Sequence, residues 1–179
     1  LEGGIYDGTI ANSGTFIYSS TIDQTLAGVI SGNGALTKQE NSTLTLTVAN
    51  TYTGTTTISA GTLEVDGTLA QTAVTVSSGA TYDVDNTDTV LSIAGAGTID
   101  LTDAALTAGD TNTQTFSGVF NGANAFTKVG SGTLTLSGDN ATASYIGRVI
   151  IDASTGNPVR AAKYQVLGKS TPDYILNYN

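Results

Sequence analysis

The chain has 179 residues, 22 of them glycine, and contains no cysteine, histidine, methionine or tryptophan. Fifteen acidic against six basic residues give a formal charge of −9, which argues against nucleic acid or anionic lipid as a partner. Without histidine or cysteine there is no Ser-His-Asp triad, no thiol nucleophile, no disulfide and no imidazole or thiolate metal site.

Charged residues make up only 12% of the chain, about half the share of an ordinary globular domain, and threonine, serine, asparagine and glycine take their place. A polar but uncharged surface of this kind suits strands and tight turns. No apolar run approaches the roughly 20 residues that span a bilayer, and no basic-plus-apolar leader opens the chain. The opening residue is Leu1, so the chain is expected to be a piece of a longer protein. Absence of cysteine is compatible with either redox compartment and is common in proteins that cross a periplasm unfolded.

Taken from the N-terminus, residues 25–50, "TLAGVISGNGALTKQENSTLTLTVAN", align without a gap on residues 115–140, "TFSGVFNGANAFTKVGSGTLTLSGDN". About a dozen positions are identical, among them Lys38/Lys128 and a Thr-Leu-Thr-Leu tetrapeptide. Such self-similarity is the mark of a modular stack. In "TLTLTV", residues 43–48, Leu44, Leu46 and Val48 alternate with threonine, the two-residue period of a strand with one buried face. Similar alternations follow in "TLEV" at 62–65, "VTV" at 74–76, "TYDV" at 81–84, "TIDL" at 98–101 and "TLTL" at 133–136. Glycine-rich turns such as "SAG", "VDG", "SSGA", "GAG" and "GSG" separate them. No window shows the i, i+3, i+4 apolar stripe of a helix.

Short strands at this spacing fit a sandwich or a solenoid. Small and medium apolar residues suit the narrow interior of a solenoid, and threonines at successive outward positions can stack as ladders between coils. The expected fold is therefore all-β: a single-stranded, right-handed parallel β-helix over residues 1–143. About 20–25 residues per coil are expected, and at about 4.8 Å per coil the rod would be on the order of 30 Å long.

Residues 144–179 depart from this pattern. They hold four of the six basic residues, Arg148, Arg160, Lys163 and Lys169, both prolines, and two candidate strands, "RVIID" and "DYILNY". The segment is expected to be a C-terminal cap, a linker or a strand donated to a neighbour, with Tyr174, Ile175, Leu176 and Tyr178 as the assembly candidates.

Residues 31–67, "SGNGALTKQENSTLTLTVANTYTGTTTISAGTLEVDG", resemble the passenger-associated repeat of bacterial autotransporters. The second copy is similar up to Asn140, where "ATASYIG" replaces "TYTGTTT". The resemblance implies a β-helical passenger on a type V-secreted protein of a Gram-negative cell surface, with its outer-membrane tether outside this chain. Neither an autochaperone pattern nor amphipathic barrel strands follow the repeats.

Candidate chemistry is sparse. Asp83, Asp85 and Asp88 in "DVDNTD" could offer hard oxygen ligands to Ca²⁺, but the spacing lacks the glycine and terminal glutamate of an EF-hand loop, and a solvated acidic turn explains it more simply. No other cofactor is implied. Lys38 and Lys128 invite an isopeptide crosslink, against which stands their place at a strand end, where the ammonium is expected to snorkel to water. Tyr6, Tyr18, Tyr52 and Tyr82 could stack on sugars if aligned, although packing is the simpler role. The glycine-rich loops lack the lysine-serine pair of a phosphate-binding loop.

The leading functional reading is a non-enzymatic structural or adhesive stalk whose uncharged hydroxyls and amides make many weak contacts with a glycan, an abiotic surface or another copy of itself. A filament subunit joined head-to-tail through strand pairing is the second reading. A β-helical polysaccharide-degrading enzyme working with two carboxylates is the third.

Overall fold

The structure is a computed structural model that describes residues 3–138, residues 145–152 and the backbone of the strand Ile175–Asn177. Among the described residues every regular element is a strand and every strand pairing is parallel, as the alternating sequence requires. The strands collect into two sheets of seven, one of five and one of two.

Each turn of the chain visits three faces in a fixed order. The first face carries Gly4–Tyr6, Gln24–Leu26, Thr43–Leu46, Thr62–Val65, Thr81–Val84, Thr98–Leu101 and Val119–Gly122. The second face begins at Thr15–Ser19 and Ala35–Gln39 and ends at Gln114–Phe116 and Leu134–Leu136. Between them in chain order lies the third face. It starts as the pair Ile10–Ala11 and Ile30–Ser31, narrows to the single Ala49–Thr68 bridge, and widens into the five-stranded sheet from Asp88–Val90 onward. The protein is thus a three-sided β-solenoid of about seven coils, and at about 4.8 Å per coil its axis is about 30 Å long.

Coils are tighter than the sequence suggested. Gly4 pairs with Gln24 and Tyr82 with Ile99, offsets of 20 and 17 residues. Three strands of two to five residues joined by short corners need no more chain than that. Towards the C-terminus the offsets lengthen, with Phe126 pairing Val149 and Ile150 pairing Ile175. Both strands foreseen in the C-terminal segment are present, as Val149–Asp152 and Ile175–Asn177, and both add in parallel to the third face.

Within a coil the inward residue of each strand stacks on its counterparts. On the first face the column runs Gln24, Leu44, Leu63, Tyr82, Ile99 and Phe120. The interior is not confined to small and medium side chains as expected. Tyr18, Tyr52, Tyr82, Phe116, Phe120, Phe126 and Tyr145 are all buried, and the rings of Phe116, Phe126 and Tyr145 lie 5.3, 5.0 and 5.5 Å from that of Phe120. A three-sided coil leaves room for a ring on any face, provided each phenol finds an acceptor. Tyr52 shares a hydrogen bond with Thr56 Oγ1 at 2.6 Å, and Tyr145 donates to the carbonyls of Asn124 and Arg148 at 3.1 and 3.0 Å.

Corners stack as well, and there the carbonyl of one coil occupies the space where the next would carry a side chain. Gly14, Gly34 and Gly54 form such a column. A Cβ on Gly54 would lie 2.3 Å from the Gly34 carbonyl oxygen, and one on Gly34 would lie 2.4 Å from that of Gly14. Backbone, unlike a flexible side chain, cannot swing away from this contact. Gly54→Ala is therefore expected to lower unfolding free energy by about 2 kcal/mol or more, measured by chemical denaturation. An unchanged midpoint would show that the corners are not held at this separation.

Candidate functional site

The outward side chains form columns too, and the columns differ in chemistry between faces. On the second face, register places Ile17, Thr37, Thr57, Thr75 and Ala94 side by side, with Thr115 and Thr135 continuing the same position. Flanking outward positions on these strands are Thr15, Ser19, Ala35, Gln39 and Ala73. No ionisable side chain points outward from the seven strands. The one charged residue within them, Lys38, points inward.

The first face starts in the same style and then changes. Its outward column reads Ile5, Thr25, Thr45, Glu64, Asp83, Asp100 and Asn121. Parallel, in-register pairing sets Glu64, Asp83 and Asp100 on successive strands, about 4.8 Å apart in backbone. Like charges placed opposite one another in this way repel. At Asp83 burial, followed by the charges of Asp85, Asp100, Glu64 and Asp103, pushes the carboxyl up to about 7. Glu64 and Asp85 are raised for the same two reasons, burial first and neighbouring carboxylates second. At Asp100 burial also acts upward, but hydrogen bonds from Thr102 and Asn121 outweigh it and hold the carboxyl below its ordinary value.

Of the three aspartates read as oxygen ligands, Asp83 and Asp85 belong to this outer face, whereas Asp88 lies inside the coil. Asp88 accepts hydrogen bonds from the N–H groups of Leu69 and Thr89 at 2.8 and 2.7 Å and from the Tyr82 hydroxyl at 3.0 Å. It does for Leu69 what Asn50 does for Ile30, whose N–H donates to Asn50 Oδ1 at 2.9 Å. Burial raises the Asp88 carboxyl despite its three donors. The carboxylates that the fold gathers with Asp85 are Glu64 and Asp66, with one oxygen of each within 4.8 Å of the others. One oxygen from each is well short of the roughly six to eight that Ca²⁺ takes.

This grouping was readable in the sequence. "TLEVD" at 62–66 and "TYDVD" at 81–85 repeat one pattern at an offset of 19 residues, one coil apart.

The lysines overturn their expectation. Lys38 has no exposed surface and Lys128 is 7% exposed, so both side chains are buried and do not extend into solvent. Lys38 Nζ donates to the carbonyls of Gln39 and Glu40, each at 2.8 Å, and to that of Ala60 in the next coil at 3.2 Å. Lys128 Nζ donates to the carbonyls of Val129 and Gly130. In both corners the second residue after lysine has a left-handed backbone, Glu40 at φ 62° and Gly130 at φ 70°, which turns the carbonyls toward the ammonium. Burial pushes both ammonium groups down, opposed at Lys38 by Asp23 and Glu40 and at Lys128 by Asp110. The lysine therefore caps a corner, and its observed hydrogen-bond partners are main-chain oxygens, not an isopeptide-forming side chain.

Among the tyrosines considered for sugar stacking, Tyr18, Tyr52 and Tyr82 are buried and only Tyr6 is exposed, so they present no aligned row. Tyr18 donates its hydroxyl proton to the Ile22 carbonyl, and its ring lies 5.7 Å from Lys38 Nζ. Of the assembly candidates, Ile175 and Leu176 are in a strand paired with Ile150 and Ile151 of the same chain, while Tyr174 and Tyr178 lie outside the described residues.

A family model described as the passenger-associated-transport-repeat matches residues 36–65 and 126–153, the two stretches that hold the lysine corners and the strands following them. The chain carries two copies of the autotransporter passenger-associated repeat. A curated relative, the Adhesin BmaC autotransporter of Brucella suis biovar 1 (strain 1330), is 37% identical over 139 residues, covering 72% of this chain. The chain spans only 4% of that adhesin's length. No solved structure matches it.

The two passenger repeats do not occupy equivalent faces. Ala35–Gln39 lies on the second face and its counterpart Phe126–Lys128 on the third, while Thr43–Leu46 lies on the first and Leu134–Leu136 on the second. The second repeat is rotated by one face about the axis, yet its lysine corner is built alike. The corner is thus local to the repeat sequence and does not depend on which side of the coil it serves.

Two outcomes follow from this geometry. Lys38→Met keeps the apolar stem and leaves three carbonyl oxygens without their donor, so unfolding free energy should fall by about 2 kcal/mol or more; equal stability would mean that water already serves those oxygens. For the acidic column, a carboxyl whose folded value exceeds its unfolded one stabilises fully below about pH 4. That contribution is lost as pH rises through the folded value, near 7 for Asp83. Asp83→Asn should therefore be more stable than the parent at pH 8, with the advantage shrinking on acidification toward pH 4, as followed by thermal melts across that range. A constant difference would show that the Asp83 carboxyl is not raised in the folded chain.

Proposed function

We propose that this chain is a non-enzymatic, load-spacing and adhesive segment of a cell-surface or extracellular autotransporter passenger in a Gram-negative bacterium. The two passenger-associated repeats and the likeness to an autotransporter adhesin support the location and the adhesive role. The rod supplies length, and its sides supply contact surface.

The observation that carries the adhesive part is the charge-free second face. A chain of net charge −9 repels most acidic surfaces and other copies of itself, and on the first face Glu64, Asp83 and Asp100 line up on successive strands. Outward threonine, serine, alanine and glutamine, with Ile17 at the N-terminal end, leave one side with no charge to desolvate, offering hydroxyls and methyls at regular spacing. Its partners are a neutral glycan, an inert surface or the same face of another copy. With an area of a few strand widths, below the roughly 800 Å² per partner of a stable interface, each segment binds weakly. Strength then comes from repetition along a longer passenger.

The test uses beads carrying the chain at defined density, offered to a neutral-glycan panel, to polystyrene and to beads carrying the same chain. Charges introduced on the second face by Thr57→Lys, Thr75→Lys and Thr115→Lys should abolish retention. The same change on the first face, Thr45→Lys, should leave it intact, with circular dichroism confirming the fold of both. Retention by neither parent nor variants, or equal loss from both faces, would refute the reading. Release of reducing ends from a polysaccharide panel would instead make the protein an enzyme.

A further inference from the structure

We draw no further inference here: the strongest candidate, the N-terminal end of the coil where Ile5, Ile17 and Ile22 are exposed and the buried Gln24 Oε1 has no hydrogen-bond partner, carries nothing because nothing in the structure shows what covers it.

Discussion

Parallel, in-register pairing of successive coils governs this molecule. Because each strand lies directly beside its equivalent from the previous turn, a side chain meets mainly others at the same position of neighbouring coils. Each position therefore becomes a column with a single physical demand. Inward columns are apolar or hydrogen-bonded, since a buried polar group without a partner is costly, and Gln24 Oε1 near the N-terminal end is the exception among the described residues. Corner columns without room for a Cβ must be glycine, as at Gly34 and Gly54. Outward columns tolerate threonine without limit, because its hydroxyl and methyl pack against copies of themselves. They tolerate carboxylates poorly: burial first, and then the neighbouring charges of Asp85, Asp100 and Glu64, raise the proton affinity of Asp83.

The same rule explains which parts of the fold were legible in the sequence. Strict alternation in Thr43–Leu46, Thr62–Val65, Thr81–Val84 and Thr98–Leu101 marked both the strands and their buried faces, and those strands are where the alternation placed them. Coil length was overestimated only for part of the stack, where first-face strands repeat after as few as 17 residues because short strands and tight corners close a turn with less chain. Lys38 was misplaced although its parity was correct: it alternates in phase with Leu36 and so points inward, and only the general preference of lysine for water argued otherwise. What the sequence did not show was the cage of carbonyls that makes an inward ammonium tolerable. Asp88 failed to join Asp83 and Asp85 because a corner intervenes, and after it the chain runs on a different face. The partners of Asp85 came from the coil before, where a linear reading of "DVDNTD" could not look.

The passenger repeat and the geometric repeat are distinct units. The family's repeat recurs after 90 residues in this chain, whereas a coil closes after 17 to 21 on the first face. The two copies consequently serve different faces. A sequence module can be used on any side of the solenoid because its defining features, a lysine that binds the carbonyls just after it and a strand of strict alternation, are satisfied locally. The faces can then diverge in chemistry while the interior stays constant. One side of this chain remains neutral and another becomes acidic, and that difference between faces is what the adhesive reading rests on.

The central claim is the in-register stack itself, and distances along one outward column test it most directly. Nitroxide labels on Thr37 and Thr115, and on Thr37 and Thr135, occupy positions four and five coils apart on an exposed face and disturb no interior contact. Pulsed electron resonance should give backbone separations near 19 and 24 Å, rising by about 4.8 Å per coil. Separations that fail to rise with coil number, or that place Thr135 nearer to Thr37 than Thr115 is, would contradict the stack and with it the column-by-column account of the core, the corners and the faces.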